Sequence, residues 1–328
     1  MKNIFLCEDK SSIDLVYSPE IRKKISCYDC FCRKDLTKNT GLFRDTQYIF
    51  STWGMPELTS EEIKNIFPAL KAVFYAAGTV QYFARPFLEN GIKVFSAWAA
   101  NAVPVAEYTA AQILLAGKNF FSLCTKQSAG RLSDAEAVKK RIIGNYKTKV
   151  GIIGAGMIGK RVIELLRPFK LEILVFDPFL PPETAKKLGV KTASLETLFS
   201  ECRIVSNHLA NNADTRGIIN YRLFSLMKED GVFINTGRGA QAVEDDLVRI
   251  LRERPDITAV LDVTDPEPPE KNHPFYSLEN CLLTPHIAGS LGNEVLRMAE
   301  YMREEYESLL QKGSTRYEVT LKMLETMA

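Results

Sequence analysis

Short apolar runs alternate with amphipathic stretches along most of this chain, the pattern of a parallel sheet covered by helices. In the first hundred residues YIFSTW, KAVFYAAG and IKVFSAW are such runs, separated by helix-like segments such as residues 60–67. The polar segment TKQSAGRLSDAEAVKKRIIGNY then breaks the alternation, and a second series starts at Lys149 with KVGII, LEILVF, CRIVSNHLA, DGVFINTGRG, ITAVLDV and CLLTPHIAG. The class is therefore α/β, in two domains: residues 1–100 joined by 291–328, and residues 101–290. Leu291, Val295, Met298, Met302, Tyr306 and Leu309 recur at steps of three and four, which predicts one long helix carrying the chain back to the first domain. The stretch FSAWAANAVPVAEYTAAQILLAG is the one candidate for a membrane span. It carries Asn101, Pro104 and Glu107 near its middle, so a helix buried at a domain or subunit interface is the better expectation.

Composition narrows the partners. Forty-two Lys and Arg against 40 Asp and Glu leave a formal charge of +2, with the basic residues scattered, so no footprint for nucleic acid or a membrane surface exists. A small-molecule partner is expected. The apolar run in MKNIFLCEDK is too short for a signal peptide and turns acidic at once, which predicts a cytoplasmic protein. Seven cysteines suit that compartment as free thiols. Cys27, Cys30 and Cys32 in CYDCFC raise the question of zinc, but no second Cys or His pair stands at a suitable spacing, so no metal is expected.

The sharpest local signal is KVGIIGAGMIGKRVIELL, where a strand-like run meets Gly154, Gly156 and Gly159 and passes into a helical pattern. Gly154 permits the tight turn, Gly156 lets a pyrophosphate approach the backbone, and Gly159 lets helix and strand pack closely. The helix start at Met157 and Ile158 offers free N–H groups and a favourable dipole to the anion. The next run, LEILVF, ends at Asp177, where a carboxylate accepts bonds from ribose hydroxyls and repels a 2′-phosphate. Pro178 and Phe179 follow rather than an arginine, which favours NAD over NADP. Arg161 stands where a P-loop needs a Ser or Thr hydroxyl, which argues against ATP or GTP hydrolysis; a methyltransferase remains open on this segment alone. The expected architecture is two Rossmann-like or flavodoxin-like parallel-sheet domains with a cleft between them, the 101–290 domain binding the nucleotide.

Four later runs end in polar or turn residues, and ligands of open parallel sheets bind beyond the C-terminal strand ends, so Arg238, Asp262, Glu267 and His286 are candidates for one crevice. His286 is one of three histidines. His273 lies in a polar loop, and His208 suits the nicotinamide end better than proton transfer.

These segments resemble the D-isomer-specific 2-hydroxyacid dehydrogenase family. SNHLANNADTRGIINYRLFSLMKEDGVFINTGRGAQAVEDDLVRIL, LDVTDPEP and LLTPHIAGS look like its successive signatures, NAVPVAEYTAAQILLA resembles its interdomain helix, and the similarity covers roughly residues 74–290. The resemblance implies an NAD-dependent oxidoreductase that interconverts a small 2-oxo acid and a D-2-hydroxy acid, working as a homodimer. It assigns Arg238 to the substrate carboxylate and carbonyl, Glu267 to the histidine, and His286 to proton donation and acceptance. Asp262 and Thr236 fall to the nicotinamide end with His208, and Ala77, Gly78 and Thr79 to the substrate carboxylate. Histidine suits this work because its unperturbed pKa, roughly 6.5, serves both directions near neutrality. Gly237 departs from the family's Ala or Ser. A rival class is an NADH-sensing binding protein of the co-repressor kind with little turnover; a formate dehydrogenase is disfavoured because that branch carries Gln where Glu267 stands.

Overall fold

The three strand-like runs of the first hundred residues become β3 (Tyr48–Ser51), β4 (Ala72–Tyr75) and β5 (Lys93–Ser96) in the computed structural model, which describes residues 2–325 and adds β1 (Asn3–Leu6) and β2 (Cys30–Phe31) before them. The described chain forms two units: residues up to Ala102 together with those from Ser290 onward, and Val103–Gly289. In the first unit the sheet runs β5-β4-β3-β1-β2, all parallel, and a short terminal strand, Glu318–Val319, adds antiparallel to β5. β1, β3 and β4 are buried at every position, as expected of parallel strands covered on both faces.

One face of this sheet is an aromatic row. Phe50, Phe74 and Phe95 are register neighbours on β3, β4 and β5. Phe74 stacks on Phe50 (centroids 5.0 Å apart, planes 17° apart) and on Phe95 (4.9 Å, 7°). Tyr306 closes the row edge-on from the helix Val295–Leu310, whose Met298, Ala299 and Met302 are fully buried beneath it. The predicted return helix therefore exists but starts at Val295 rather than Leu291. Leu291 is exposed and precedes Gly292, whose φ of +54° breaks the helical path. Within that helix the buried Glu305 accepts the backbone N–H groups of Arg316 (2.9 Å) and Tyr317 (3.2 Å), which anchors the terminal strand's approach.

β1 and β2 went unpredicted because each is a short run beside polar residues, and β2 explains the cysteine cluster. Cys30 lies in that strand, Cys27 is buried beside it, and Cys32 opens the helix Arg33–Lys38 with its N–H on Asp35 (3.0 Å). All seven thiols are free; burial pushes Cys30 up to about 11 and Cys27 higher still. Among the described residues no group of His, Cys, Asp and Glu could hold a metal ion.

The second unit carries β6 (Lys149–Ile153), β7 (Glu172–Phe176), β8 (Lys191–Thr192), β9 (Ile204–Asn207), β10 (Val232–Asn235), β11 (Thr258–Leu261) and β12 (Cys281–Leu283), ordered β12-β11-β10-β9-β6-β7-β8 and parallel throughout. The winding reverses between β6 and β9, the topological switch point where such sheets bind ligands. The polar segment that broke the sequence pattern contributes the last turn of the helix Phe120–Ser128 and the helix Leu132–Lys139. The apolar stretch after β5 is the helix Trp98–Ala116; its Ala106, Ile113 and Ala116 are fully buried in the second unit's core. No helix among the described residues is long and apolar enough to cross a membrane.

Truncating the centre of the aromatic row should be costly. Phe74→Ala is expected to lower stability by about 3–5 kcal/mol, whereas Leu15→Ala, at an exposed position, should stay within about 0.5 kcal/mol. Denaturant midpoints compared with the parent's would measure both.

Candidate active site

At the switch point the chain leaves β6 through Gly154, whose φ is +86°; a Cβ there would lie 2.9 Å from the carbonyl carbon and oxygen of His208. At Gly159 a Cβ would fall 2.0 Å from the carbonyl oxygen of Gly154, so the helix Met157–Leu166 packs on the turn only because that residue is bare. Gly156 opens the helix and has nothing within 4 Å of a Cβ position, which leaves a cradle above the helix start. Met157 is exposed there and Ile158 partly buried. Asp177 follows β7 directly: one carboxylate oxygen accepts the N–H of Ala155 (2.7 Å), the other that of Phe179 (2.8 Å). A bare backbone cradle, helix N–H groups and a carboxylate hung on the same turn are what the pyrophosphate and ribose of a dinucleotide require.

Beyond β9 the buried His208 shares hydrogen bonds with Ser206 through Nε2 (2.9 Å) and with Thr236 through Nδ1 (3.4 Å), and Thr236 with Thr109 (3.0 Å). Burial drives the pKa of His208 down to about 3, so the ring is neutral at ordinary pH. It is a fixed polar link, not a proton carrier.

Arg238 is held by a network that the sequence did not reveal. Asn207 Nδ2 donates to Asn235 Oδ1 (3.0 Å) and Gln241 Oε1 (2.6 Å), and Gln241 Oε1 also accepts the N–H of Arg238 (3.1 Å). Asn235 Oδ1 accepts from Gly237 N–H (3.1 Å), while its Nδ2 donates to the carbonyl of Arg238 (3.1 Å). Gln241 Nε2 donates to the carbonyls of Leu209 (2.8 Å) and Ala210 (2.9 Å). All three amides are buried. The network also accounts for Gly237, since a Cβ there would sit 2.7 Å from Gln241 Oε1 and 2.9 Å from Asn207 Nδ2. The half-buried guanidinium donates to the Gly237 carbonyl (2.7 Å). Burial pulls its pKa below the usual arginine value, and the nearby Glu267 carboxylate opposes that.

His286 sits in a turn organised by Asp262. After β12, Thr284 donates to Asp262 Oδ1 (2.6 Å), Ile287 N–H to the same oxygen (2.8 Å) and Ala288 N–H to Oδ2 (2.8 Å). The backbone carbonyl of Asp262 accepts the N–H of His286 (3.1 Å). Asp262 is thus a structural hub, a task not foreseen for it. His286 itself adopts φ +52°, a left-handed conformation that His tolerates better than most residues. Its Nδ1–H donates to Oε1 of Glu267 at 2.5 Å, with both side chains partly exposed. The Glu267 segment is seated from below: a Cβ on Gly239 would overlap the backbone of Thr264 at 2.0 Å, so the Arg238 turn and the 264–268 segment touch backbone to backbone. The predicted loop Ala77–Thr79 belongs to the first unit, where Ser96 Oγ donates to the carbonyls of Ala77 (2.9 Å) and Gly78 (2.6 Å).

Fold and site together define an NAD-binding α/β chain of the dehydrogenase kind. The family described as "D-isomer specific 2-hydroxyacid dehydrogenase, NAD binding domain" matches residues 110–288, and the chain belongs to that family. It is 38% identical over 162 residues to a glyoxylate reductase of Aeropyrum pernix, covering 49% of this chain and 48% of that protein. It is 28% identical to a D-3-phosphoglycerate dehydrogenase of Archaeoglobus fulgidus, over 72% of this chain and 44% of the other, and 30% identical to a formate dehydrogenase of Chaetomium thermophilum, over 81% and 75%. The chain thus spans about half the length of the first two of these relatives. Among solved structures, D-mandelate dehydrogenase of Rhodotorula graminis matches with a TM-score of 0.78 at 18% identity, over 97% of both chains. An NAD-complexed D-isomer-specific 2-hydroxyacid dehydrogenase of Lactobacillus delbrueckii matches at 0.77 and 16%, over 98% of this chain and all of that one. At these identities the structural likeness establishes the fold.

Beneath the Glu267 segment, Glu244 accepts the N–H of Asp265 (2.8 Å) and lies 3.7 Å from His273 Nε2. Burial raises its pKa from 4.5 to about 7, with Asp265 and Asp245 adding repulsion. A carboxyl held protonated by the fold loses that stabilisation as pH rises from its unfolded pKa through its folded one. Glu244→Gln is therefore expected to melt higher than the parent at pH 8.5 and at nearly the same temperature at pH 5; equal melting at both would refute the burial argument.

Proposed function

We propose that the chain is an NAD-dependent D-2-hydroxyacid dehydrogenase that interconverts a 2-oxo acid and its D-2-hydroxy acid. The contact that carries this reading is the Nδ1–H of His286 on the Glu267 carboxylate at 2.5 Å. With Nδ1 committed as a donor, Nε2 is the nitrogen that releases a proton to the substrate carbonyl oxygen during reduction and takes it back during oxidation. Glu267 fixes the ring and stabilises the imidazolium that precedes proton release. Arg238 binds the substrate carboxylate and draws electron density from the carbonyl. When bound, the nicotinamide supplies or accepts the hydride.

The cofactor falls to Gly154, Gly156, Met157, Ile158, Gly159 and Asp177 at the diphosphate and ribose, and to His208, Thr236 and Asp262 towards the nicotinamide. Ala77, Gly78 and Thr79 are given to the substrate carboxylate. The same proposal takes the enzyme to be a homodimer, which the family resemblance implies, in the cytoplasm.

The test is NADH absorbance in the presence of a panel of 2-oxo acids. His286→Ala should lower kcat/KM by about 10²–10⁴-fold, the range of a lost general acid, and Arg238→Ala by at least about a hundredfold. Both should retain NADH binding by nucleotide fluorescence. Unchanged turnover in either variant would remove the residue from its role, and NADH-dependent partner binding with no turnover across the panel would favour the sensor class.

A further inference from the structure

The first unit presents two partly exposed aromatic side chains, Trp53 and Tyr82, on the turns beside the loop given above to the substrate carboxylate. The turn after β3 and the loop after β4 are stapled together: Thr52 Oγ1 donates to the carbonyl of Ala76 (2.8 Å), and Ala76 N–H to that of Ser51 (2.8 Å). Cys7 Sγ donates to the carbonyl of Trp53 (3.1 Å), and Glu8 N–H to that of Gly54 (2.8 Å). The backbone under Trp53 is thus fixed from two sides, yet its side chain is 40% exposed. Tyr82 is 43% exposed while its hydroxyl is held by Tyr75 (3.4 Å), and its ring rests edge-on against Phe83 (5.1 Å). Tyr75, by contrast, is buried in the core. Trp53 and Tyr82 therefore lie at the C-terminal strand ends with the 77–79 loop, where open sheets bind ligands, and leave apolar ring surface uncovered at a site that rigid backbone contacts hold open.

Charge at the same edge selects the kind of group those rings receive. Glu8 adjoins the Gly54 carbonyl, Glu57 is close enough to Tyr82 to repel its phenolate, and Asp9 lies two residues past Cys7. Of the cations, Lys10 is exposed in the first turn of the helix Lys10–Val16, and Arg33 is committed to Glu62 (2.7 Å) and to the Glu57 carbonyl. The carboxylates of Glu8 and Asp9 accept from the N–H groups of Arg33 (3.3 Å) and Ser11 (2.9 Å), and with Glu57 they outnumber Lys10 at this edge, a net negative charge that disfavours a phosphate or second carboxylate on the substrate.

We infer that the substrate carries a bulky, uncharged aromatic side chain that packs on Trp53 and Tyr82, an inference that rests on the dehydrogenase reading for its reaction but not for its binding surface. Phenylpyruvate should exceed pyruvate, 2-oxoglutarate and phosphohydroxypyruvate in kcat/KM by about tenfold or more, a span that apolar pocket contacts supply. Trp53→Ala should lower the phenylpyruvate-to-pyruvate ratio of kcat/KM at least tenfold. A preference for the phosphorylated or dicarboxylic acid, or a ratio unchanged in both Trp53→Ala and Tyr82→Ala, would overturn the inference. Because the chain has two tryptophans, Trp53 and Trp98, a Trp98→Phe variant reports binding separately: 3-phenylpropionate, which has no carbonyl to reduce, should quench the emission of Trp53 in the presence of NAD⁺. Quenching without turnover on any oxo acid would sink the dehydrogenase reading and leave this surface standing. Turnover on pyruvate without quenching would sink this inference alone, and absence of both would sink the two together.

Discussion

A single buried carboxylate, that of Asp262, governs where the imidazole of His286 is found. Three donors converge on its two oxygens, from Thr284, Ile287 and Ala288, and its own carbonyl holds the histidine's N–H. A buried carboxylate without such partners would cost several kcal/mol. Satisfied in this way, it turns that penalty into a constraint, because any path of the chain that moved residues 284–288 would leave the charge unpaired. The left-handed backbone of His286 is tolerated because the residues on either side are pinned.

The backbone of Arg238 obeys the same logic with neutral groups. Asn207, Asn235 and Gln241 satisfy one another and the backbone of the turn at once, and a fully satisfied buried network is rigid where a partly satisfied one is a liability. Bare glycines then let these pieces approach: Gly237 makes room for the amides, Gly239 for the backbone of Thr264, and Gly154 for that of His208. Strand ends, amide clamps and glycine contacts together bring two turns and the 264–268 segment into one structure within the second unit.

How much of this could be read in advance follows from the range of the forces involved. The six strands β6, β7, β9, β10, β11 and β12 and the glycine turn are local patterns, and their periodicity and turn residues show in the chain. The pairing of Glu267 with His286 was expected only through family likeness, because residues 19 positions apart meet through tertiary structure that no spacing rule encodes. The amide network was invisible for the same reason: an Asn or Gln after an apolar run looks like an ordinary loop residue until its partners are in place. β1 and β2 escaped because NIFL and the CF of CYDCFC are too short to show a period; β1 is buried between β3 and β2, and β2 is a half-buried edge strand. The return helix was read one turn too long because Leu291 matches the apolar spacing while Gly292 breaks the backbone path.

The aromatic row of Phe50, Phe74 and Phe95 lies on strands whose C-terminal ends release the turns bearing Trp53 and the 77–79 loop. Flooring and fittings are therefore separable in this unit. Ring packing holds the strands in register from one face, so side chains projecting past the strand ends can be exchanged without disturbing that register. Redesign aimed at a different acid would leave the phenylalanines untouched and confine itself to the turns.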